Sequence, residues 1–198
     1  MIIFAPDETP YSAGAFLFDV YFPQGYPRTP PKVRNGADAH QIVLTSSQLS
    51  LCTTGGGKVR FNPNLYQCGK VCLSLLGTWP GKPEEMWNAT TSTFLQVIVS
   101  IQALIFVPDP YFNEPGYEFS YNTNEGKTCS RRYNQNIREH TVQYAMIEQL
   151  KHPPVGFEVR VVVLLNCWHL SAAAAGCHSS SFLLPKGLHK GTGPRMGN

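Results

Sequence analysis

The chain has 198 residues, 42% of them hydrophobic, and a formal net charge of +3, which is enough for one buried core. A charge this small and this scattered argues against a nucleic-acid surface, where basic side chains gather on one face. The longest apolar stretch, 94–107, is interrupted by Gln96, Ser100 and Gln102 and is too short to cross a bilayer. The composition predicts one domain with neither nucleic-acid binding nor a membrane span.

The cysteines indicate a reducing compartment. Six in this length are too few for a disulfide-stapled secreted scaffold. The opening MIIFAPDETP has no basic segment of the kind that begins a signal peptide. We therefore expect a cytoplasmic protein whose thiols are reduced, namely Cys52, Cys68, Cys72, Cys129, Cys167 and Cys177.

The first predicted elements are the two strands of an antiparallel hairpin. One covers Ile2 to Phe4, and the other lies in GAFLFDVYF (14–22), where apolar residues alternate with their neighbours. Turn residues in PDETPYSAG connect them. The prolines of 23–31 hold the chain extended, and a third short strand is predicted at Lys32 and Val33.

The middle of the chain is predicted to be largely irregular. Residues 34–52 show no hydrophobic period and are interpreted as a loop insertion. A short strand is predicted from Lys58 to Phe61. The loop rich in Asn, Pro and Gly that follows it, up to Val71, is of a kind that commonly carries function.

Two amphipathic helices are predicted next. The first begins after an N-cap at Thr91, Thr93 or the serine between them, and its apolar face consists of Phe94, Val97, Ile98, Ile101, Leu104 and Ile105. The second runs from about Arg131 to Leu150 and ends before two prolines. Its apolar stripe consists of Tyr133, Ile137, Tyr144 and Ile147.

The chain beyond about residue 157 changes character. A short apolar burst is followed by alanine, serine and glycine runs without a periodic face, which predicts a core over 1–157 and a weakly ordered tail over 158–198. The tail contains a second group of possible metal ligands, namely Cys167, His169, Cys177 and His178. Neither this group nor the Cys68 and Cys72 pair has the spacing of a structural zinc site. We expect no metal and no cofactor.

The most informative string is FNPNLYQCGKVCLSLLGTW, residues 61–79, which contains Pro63, Asn64, Tyr66, Gly69 and Cys72. Its spacing resembles the signature of the ubiquitin-conjugating enzymes, as do YFPQGYPRTPP before it and DPYFNEPGYE after it. The resemblance implies an α+β fold of the ubiquitin-conjugating type. That fold has an antiparallel meander of about four strands packed on helices, and here its amino-terminal helix is missing.

Within the family, NPNLY, VCLSLLGTW and PYFNEPGYE are most similar to the large members. The preceding TTGG resembles their inhibitor-of-apoptosis branch, which carries a baculoviral repeat. The resemblance implies a role in the ATP-dependent ubiquitin pathway and in inhibition of apoptosis. It also implies ubiquitin, the ubiquitin-activating enzyme and substrate proteins as partners, with a ubiquitin ligase as a further candidate.

The resemblance assigns three site residues. Cys72 is the nucleophile that carries ubiquitin as a thioester, and its sulfur is expected to be exposed. The side-chain amide of Asn64 either stabilises the oxyanion or braces the loop. Glu114, in the loop after the first helix, is expected to position the attacking lysine and take its proton, with Asn113 beside it.

Other interpretations of these residues stay open. Asn64 can serve a turn alone, Glu114 can be a solvated loop acid, and the tryptophans Trp79 and Trp87 are expected to pack beneath the active loop. Unusual residues in the two loops that dock ligases suggest ligase character; they are Arg28, Asn88 and Ala89. An inactive ubiquitin-binding variant and a non-functional fragment are the alternative functions.

Overall fold

The computed structural model describes residues 1–31, 50–159 and 161–163, which form an α+β domain. Its strands are β1 (Ile2–Phe4), β2 (Ala15–Asp19) and β3 (Ser50–Leu51). Its helices are α1 (Phe94–Ser100), α2 (Asn124–His140) and α3 (Glu148–Lys151). Helix α1 continues as a π-helical turn over Ile101–Ile105, and α2 continues as a second π-helical segment over Thr141–Ile147. Short 3₁₀ helices cover Ser74–Leu76, Pro83–Glu85, Pro110–Asn113 and Tyr117–Ser120. No helix in these ranges is long and apolar enough to cross a membrane.

The strands form an antiparallel sheet in the order β1-β2-β3. Ile2 lies opposite Leu17, and Phe18 lies opposite Leu51, so the predicted hairpin is confirmed. Alternation buries Phe16 and Phe18 on the same side of β2. The strand ends at Asp19, earlier than the sequence alternation indicated.

The predicted number of strands is not reached within the described residues, where the sheet has three. Lys58 to Phe61 is not a strand, because the amides of Lys58 and Val59 both donate to the Thr54 carbonyl in a turn. The end of the predicted insertion is also wrong, since Ser50 and Leu51 form β3. The predicted strand at 32–33 and the rest of the insertion lie outside the described residues.

The core is built around aromatic rings at the back of the sheet. The Phe16 ring meets Phe61 edge-on at 5.2 Å and Phe106 at 4.8 Å, between ring centroids. Tyr11 is fully buried there, and its hydroxyl donates to the Phe61 carbonyl at 2.8 Å. The core therefore anchors Phe61, the first residue of the string that carries the family signature.

Helix α1 is capped by Thr93, whose hydroxyl accepts from the Gln96 backbone amide while the Gln96 side chain accepts from the Thr93 backbone amide. This is the reciprocal capping box. Val97, Ile101 and Ile105 are buried as predicted. Leu104 is 60% exposed, so its assignment to the buried face is wrong. The π turn, closed by a bond from the Phe106 amide to the Ile101 carbonyl, changes the helical period there.

Helix α2 begins at Asn124, well before the predicted Arg131, with Thr123 as its N-cap. The first turns contain Glu125 and Lys127 and have no apolar period to reveal them. In the predicted apolar stripe, Ile137 is buried, and Tyr133 and Tyr144 are partly buried. Ile147 is exposed.

Candidate active site

A tight chain reversal brings Asn64 next to Cys72. Leu65 and Val71 form an antiparallel bridge, and the turn between them closes through the Tyr66 amide and the Lys70 carbonyl. Gly69 has a φ of 86°, a conformation that favours glycine. The glycine of the signature is therefore required by the turn that joins the two site residues.

The two site residues are joined by a pair of hydrogen bonds. The Cys72 amide donates to the Asn64 carbonyl at 2.9 Å. The Asn64 side-chain Nδ2 donates to the Cys72 carbonyl, also at 2.9 Å. The side-chain amide of Asn64 thus fixes the backbone of Cys72 directly, which agrees with a bracing role for this side chain.

The predicted exposure of the Cys72 sulfur is wrong, because the residue is only 1% exposed. It is nevertheless located at a surface cavity and not in the centre of the core. The cavity has a volume of about 620 Å³, and its walls include Asn64, Cys72, Leu73, Trp79, Gln96 and Leu104. Cys72 therefore belongs to the cavity wall, although almost none of its surface is exposed to solvent.

The cavity joins three parts of the chain. The signature segment supplies Asn64 and Cys72, the 3₁₀ helix Pro83–Glu85 supplies its acidic residues, and α1 with its π turn supplies the opposite wall. Leu104, which the π turn directs outward, lies on that wall. The departure from a regular helical period therefore places an exposed apolar side chain beside the candidate nucleophile.

Burial raises the pKa of the Cys72 thiol above its ordinary value. The positive charges of Lys70 and Arg60 act in the opposite direction and lower this pKa, whereas the neighbouring Cys68 raises it. The thiolate is the reactive form of cysteine. The two cations therefore favour reactivity, but burial outweighs them in this state of the protein.

The buried residue Asn62 connects this loop to two other elements. Its Nδ2 donates to the Ile105 carbonyl at 2.8 Å and to the Tyr11 hydroxyl at 3.1 Å. Its Oδ1 accepts from the Asn64 amide at 2.7 Å. The neighbouring loop is tied in as well, since the Asn113 side chain donates to the Leu104 carbonyl at 2.9 Å. Polar contacts thus hold the Asn64 loop against the end of α1.

Glu114 does not line the cavity of Cys72. Its carboxylate forms a salt bridge with Arg60 at 3.1 Å, and both side chains are about one-third exposed, at 35% and 38% respectively. The Arg60 guanidinium also donates to the Pro63 carbonyl at 2.7 Å. The acidic residue predicted from the sequence is therefore linked to the Asn64 loop through Arg60, and not through direct contact with Cys72.

Sequence reasoning missed Arg60 and did not assign a role to Asn62. Arg60 carries no motif of its own, since it precedes FNPN and could have been a solvated surface residue. A cation directly before that string was the one available signal, because its partner Glu114 is distant in the chain.

The two tryptophans lie in different places. Trp79 lines the cavity that contains Cys72, and its packing beneath the active loop stays a prediction. Trp87 instead donates from its indole Nε1 to the Pro27 carbonyl at 2.7 Å and packs on Tyr26. Trp87 therefore ties the proline-rich segment to the segment that contains Asn88.

The described residues contain no group of three or more His, Cys, Asp or Glu side chains placed to hold a metal ion. The tail cysteines and histidines lie outside the described residues.

A model of the family described as ubiquitin-conjugating enzyme matches residues 1–141 of this chain. That match covers well over half of the sequence and includes Cys72, Asn64 and Glu114. The chain belongs to the ubiquitin-conjugating enzyme family. The family that the sequence signature predicted is thereby confirmed.

Curated relatives narrow the comparison to large proteins of the ubiquitin-conjugating enzyme family. A human protein named "Dual E2 ubiquitin-conjugating enzyme/E3 ubiquitin-protein ligase BIRC6" is 54% identical over 80% of this chain. The worm "Probable ubiquitin-conjugating enzyme protein 17" of Caenorhabditis elegans is 51% identical over 80%. The matched regions are only 3% and 19% of those proteins. The resemblance to the large baculoviral-repeat branch is thus confirmed.

Proposed function

We propose that this chain accepts ubiquitin as a thioester on Cys72 and transfers it to lysine side chains of substrate proteins. The observation that supports the proposal is the position of Cys72 in a cavity wall, fixed by two hydrogen bonds to Asn64. Family membership supports the same chemistry. The partners in the proposal are ubiquitin, the ubiquitin-activating enzyme and the substrate proteins.

Charging begins when the Cys72 thiolate attacks the carbonyl carbon of the ubiquitin thioester on the activating enzyme. The new carbon–sulfur bond forms as the old one breaks, and the leaving thiolate of the activating enzyme takes a proton. Arg60 and Lys70 favour the Cys72 thiolate electrostatically. Because the residue is covered in this state, charging requires its neighbours in the cavity wall to move.

Discharge begins when a neutral lysine amine attacks the thioester carbonyl. The carbon–nitrogen bond forms, the Cys72 thiolate leaves, and the excess proton on nitrogen passes to an acceptor, which is Glu114 in this proposal. The Asn64 amide has two N–H donors, and one of them bonds to the Cys72 carbonyl. The other is assigned to the oxyanion that forms in the transition state.

Ligase character is part of the proposal. The departures Arg28 and Asn88 lie in segments that the Trp87 contact to Pro27 brings together, so both belong to one surface. The human relative is named a dual conjugating enzyme and ligase. A role in apoptosis inhibition and a cytoplasmic location follow from the resemblance to the large members and belong to the same proposal.

The test is a charging reaction on a non-reducing gel. The purified chain is incubated with activating enzyme, ubiquitin and ATP. We expect a band that carries one ubiquitin and is removed by thiols, and Cys72→Ala should abolish it. Cys68→Ala is the matched control, since it removes an exposed thiol four positions from Cys72, and it should charge normally.

The alternatives give different results in the same reaction. A folded chain that forms no thiol-sensitive band would support an inactive ubiquitin-binding variant. An aggregated chain would support a non-functional fragment. A band that persists in Cys72→Ala would contradict the assignment of the nucleophile.

A further inference from the structure

Arg60 joins two loops of the candidate site through one atom. Its Nη2 donates to the Pro63 carbonyl at 2.7 Å and to the Glu114 carboxylate at 3.1 Å. A guanidinium Nη2 has two N–H groups, so both are used. The position of Glu114 is thereby tied to the residue that directly precedes Asn64.

The guanidinium is also held from the side. Its central carbon Cζ lies 4.4 Å from the centroid of the Tyr66 ring, within the usual range of a cation–π contact. The Lys70 ammonium lies 5.7 Å from the same ring. Tyr66 lies in the turn between Asn64 and Cys72, so Arg60 contacts this turn as well as Pro63 and Glu114.

The charge of Arg60 reaches the thiol itself. It lowers the pKa of Cys72 and opposes the effect of burial. Lys70 acts on Cys72 in the same sense, so Arg60 is distinguished by its geometry and not by charge alone. A lysine in its place would keep the charge but lose the planar guanidinium that stacks on the Tyr66 ring.

We propose that Arg60 is a positioning residue for acyl transfer, which holds the Asn64 loop and the Glu114 carboxylate in one arrangement until a substrate lysine arrives. The inference rests on the proposed function, because transfer from Cys72 is the step that it serves. A salt bridge with both partners about one-third exposed is weak. The incoming lysine can therefore replace Arg60 at Glu114 at little cost.

The first experiment requires no ubiquitin. Iodoacetamide labels the full chain at a series of pH values, and mass spectrometry follows the peptide that contains Cys72. In Arg60→Gln the labelling profile of Cys72 should move to higher pH, because a cation that favours the thiolate is lost. Arg60→Lys should keep the wild-type profile, and so should Arg132→Gln, which removes an exposed arginine on α2.

The second experiment follows the discharge of preformed thioester to free lysine in a single turnover. Both Arg60→Gln and Arg60→Lys should discharge about tenfold more slowly than wild type, since small misplacements of catalytic groups have effects of at least this size. The loss should lie in the maximal rate and not in the lysine concentration at half-maximum. Circular dichroism and urea midpoints verify that both variants are folded.

A double-mutant cycle separates positioning from a merely structural contact. If Arg60 acts through Glu114, then Arg60→Gln should add little to the defect of Glu114→Gln. Wild-type discharge in both Arg60 variants, or defects of the two residues that multiply independently, would overturn the inference. If the wild-type chain forms no thioester, the proposed function fails. Arg60 is then judged by the labelling profile alone, and an unchanged profile in Arg60→Gln overturns its role.

Discussion

Asn62 is the residue on which the geometry of the site depends most. It is fully buried, and its side chain makes hydrogen bonds to Tyr11, Asn64 and Ile105. Asn62→Ala would leave buried polar groups without partners, at about 1 to 3 kcal/mol each. We expect the free energy of unfolding to fall by about 3 kcal/mol in urea titrations.

The control for this measurement is Asn122→Ala, which removes an exposed asparagine and should change stability by about 0.5 kcal/mol or less. Equal stability of Asn62→Ala and wild type would mean that these hydrogen bonds add nothing to the fold. The bracing of the Asn64 loop described above would then have no energetic basis.

The raised pKa of Tyr133 predicts how the free energy of unfolding changes at alkaline pH. Burial raises its pKa to about 12, with opposing effects of Arg60 and Glu114, whereas an unfolded tyrosine titrates near pH 10. The folded protein thus holds this proton more tightly. The contribution of protonated Tyr133 to the free energy of unfolding is complete below about pH 10 and is lost as the pH rises towards 12.

The comparison is between wild type and Tyr133→Phe, which keeps the ring. Between pH 8 and pH 11.5, wild type should lose about 2 kcal/mol more unfolding free energy than the variant in urea titrations. Tyr21→Phe, which alters a half-exposed ring, should retain the wild-type pH dependence. Identical losses in wild type and Tyr133→Phe would refute the assignment.

At this scale the sequence predicted which residues meet but not how they are covered. The signature placed Asn64 and Cys72 together because a short turn joins them, and short turns are local. The cavity at Cys72 is lined by side chains from 83–85 and from α1, which are remote in sequence. The Arg60 contact to Glu114 spans 54 positions, so no local pattern revealed it.

Among the elements, α1 and its π turn contribute Gln96, Ser100 and Leu104 to the cavity wall. Its N-cap Thr93 and the Gln96 side chain satisfy each other's amide groups, and Gln96 itself lines the cavity. Thr93→Ala should therefore destabilise the protein by about 1 kcal/mol, measured by urea unfolding. Thr91→Ala, two residues earlier, should change stability much less, and an equal effect of both variants would show that the cap is not the cause.

The sequence predicted elements well where a single local pattern determines them. Residue alternation identified the β1 and β2 hairpin, and the capping residues identified the start of α1. Strand β3 was missed because two residues show no period; it forms only through pairing with Phe18 and Asp19. The early start of α2 was missed because its first turns are polar, and the π segments because a period of 3.6 does not reveal them.

At the scale of the whole molecule, the core and the site share one framework. Tyr11 bonds to the Phe61 carbonyl and accepts from Asn62, so the buried aromatic cluster fixes the beginning of the signature segment. The α+β class and the family were predictable from the sequence, because the signature string 61–79 identifies the family and the family has this fold. The proposed boundary at about residue 157 and the nature of the tail stay predictions, since residues 164–198 lie outside the described part of the chain.

The central claim is that one sulfur carries ubiquitin, and the most direct test replaces that sulfur by oxygen. Cys72→Ser is incubated with activating enzyme, ubiquitin and ATP, and the product is mapped by mass spectrometry. The account predicts an oxyester between the ubiquitin carboxyl terminus and position 72, which resists thiols and is cleaved by mild alkali. Ubiquitin attached at Cys68 or elsewhere, with position 72 unmodified while the wild-type chain is charged, would contradict it.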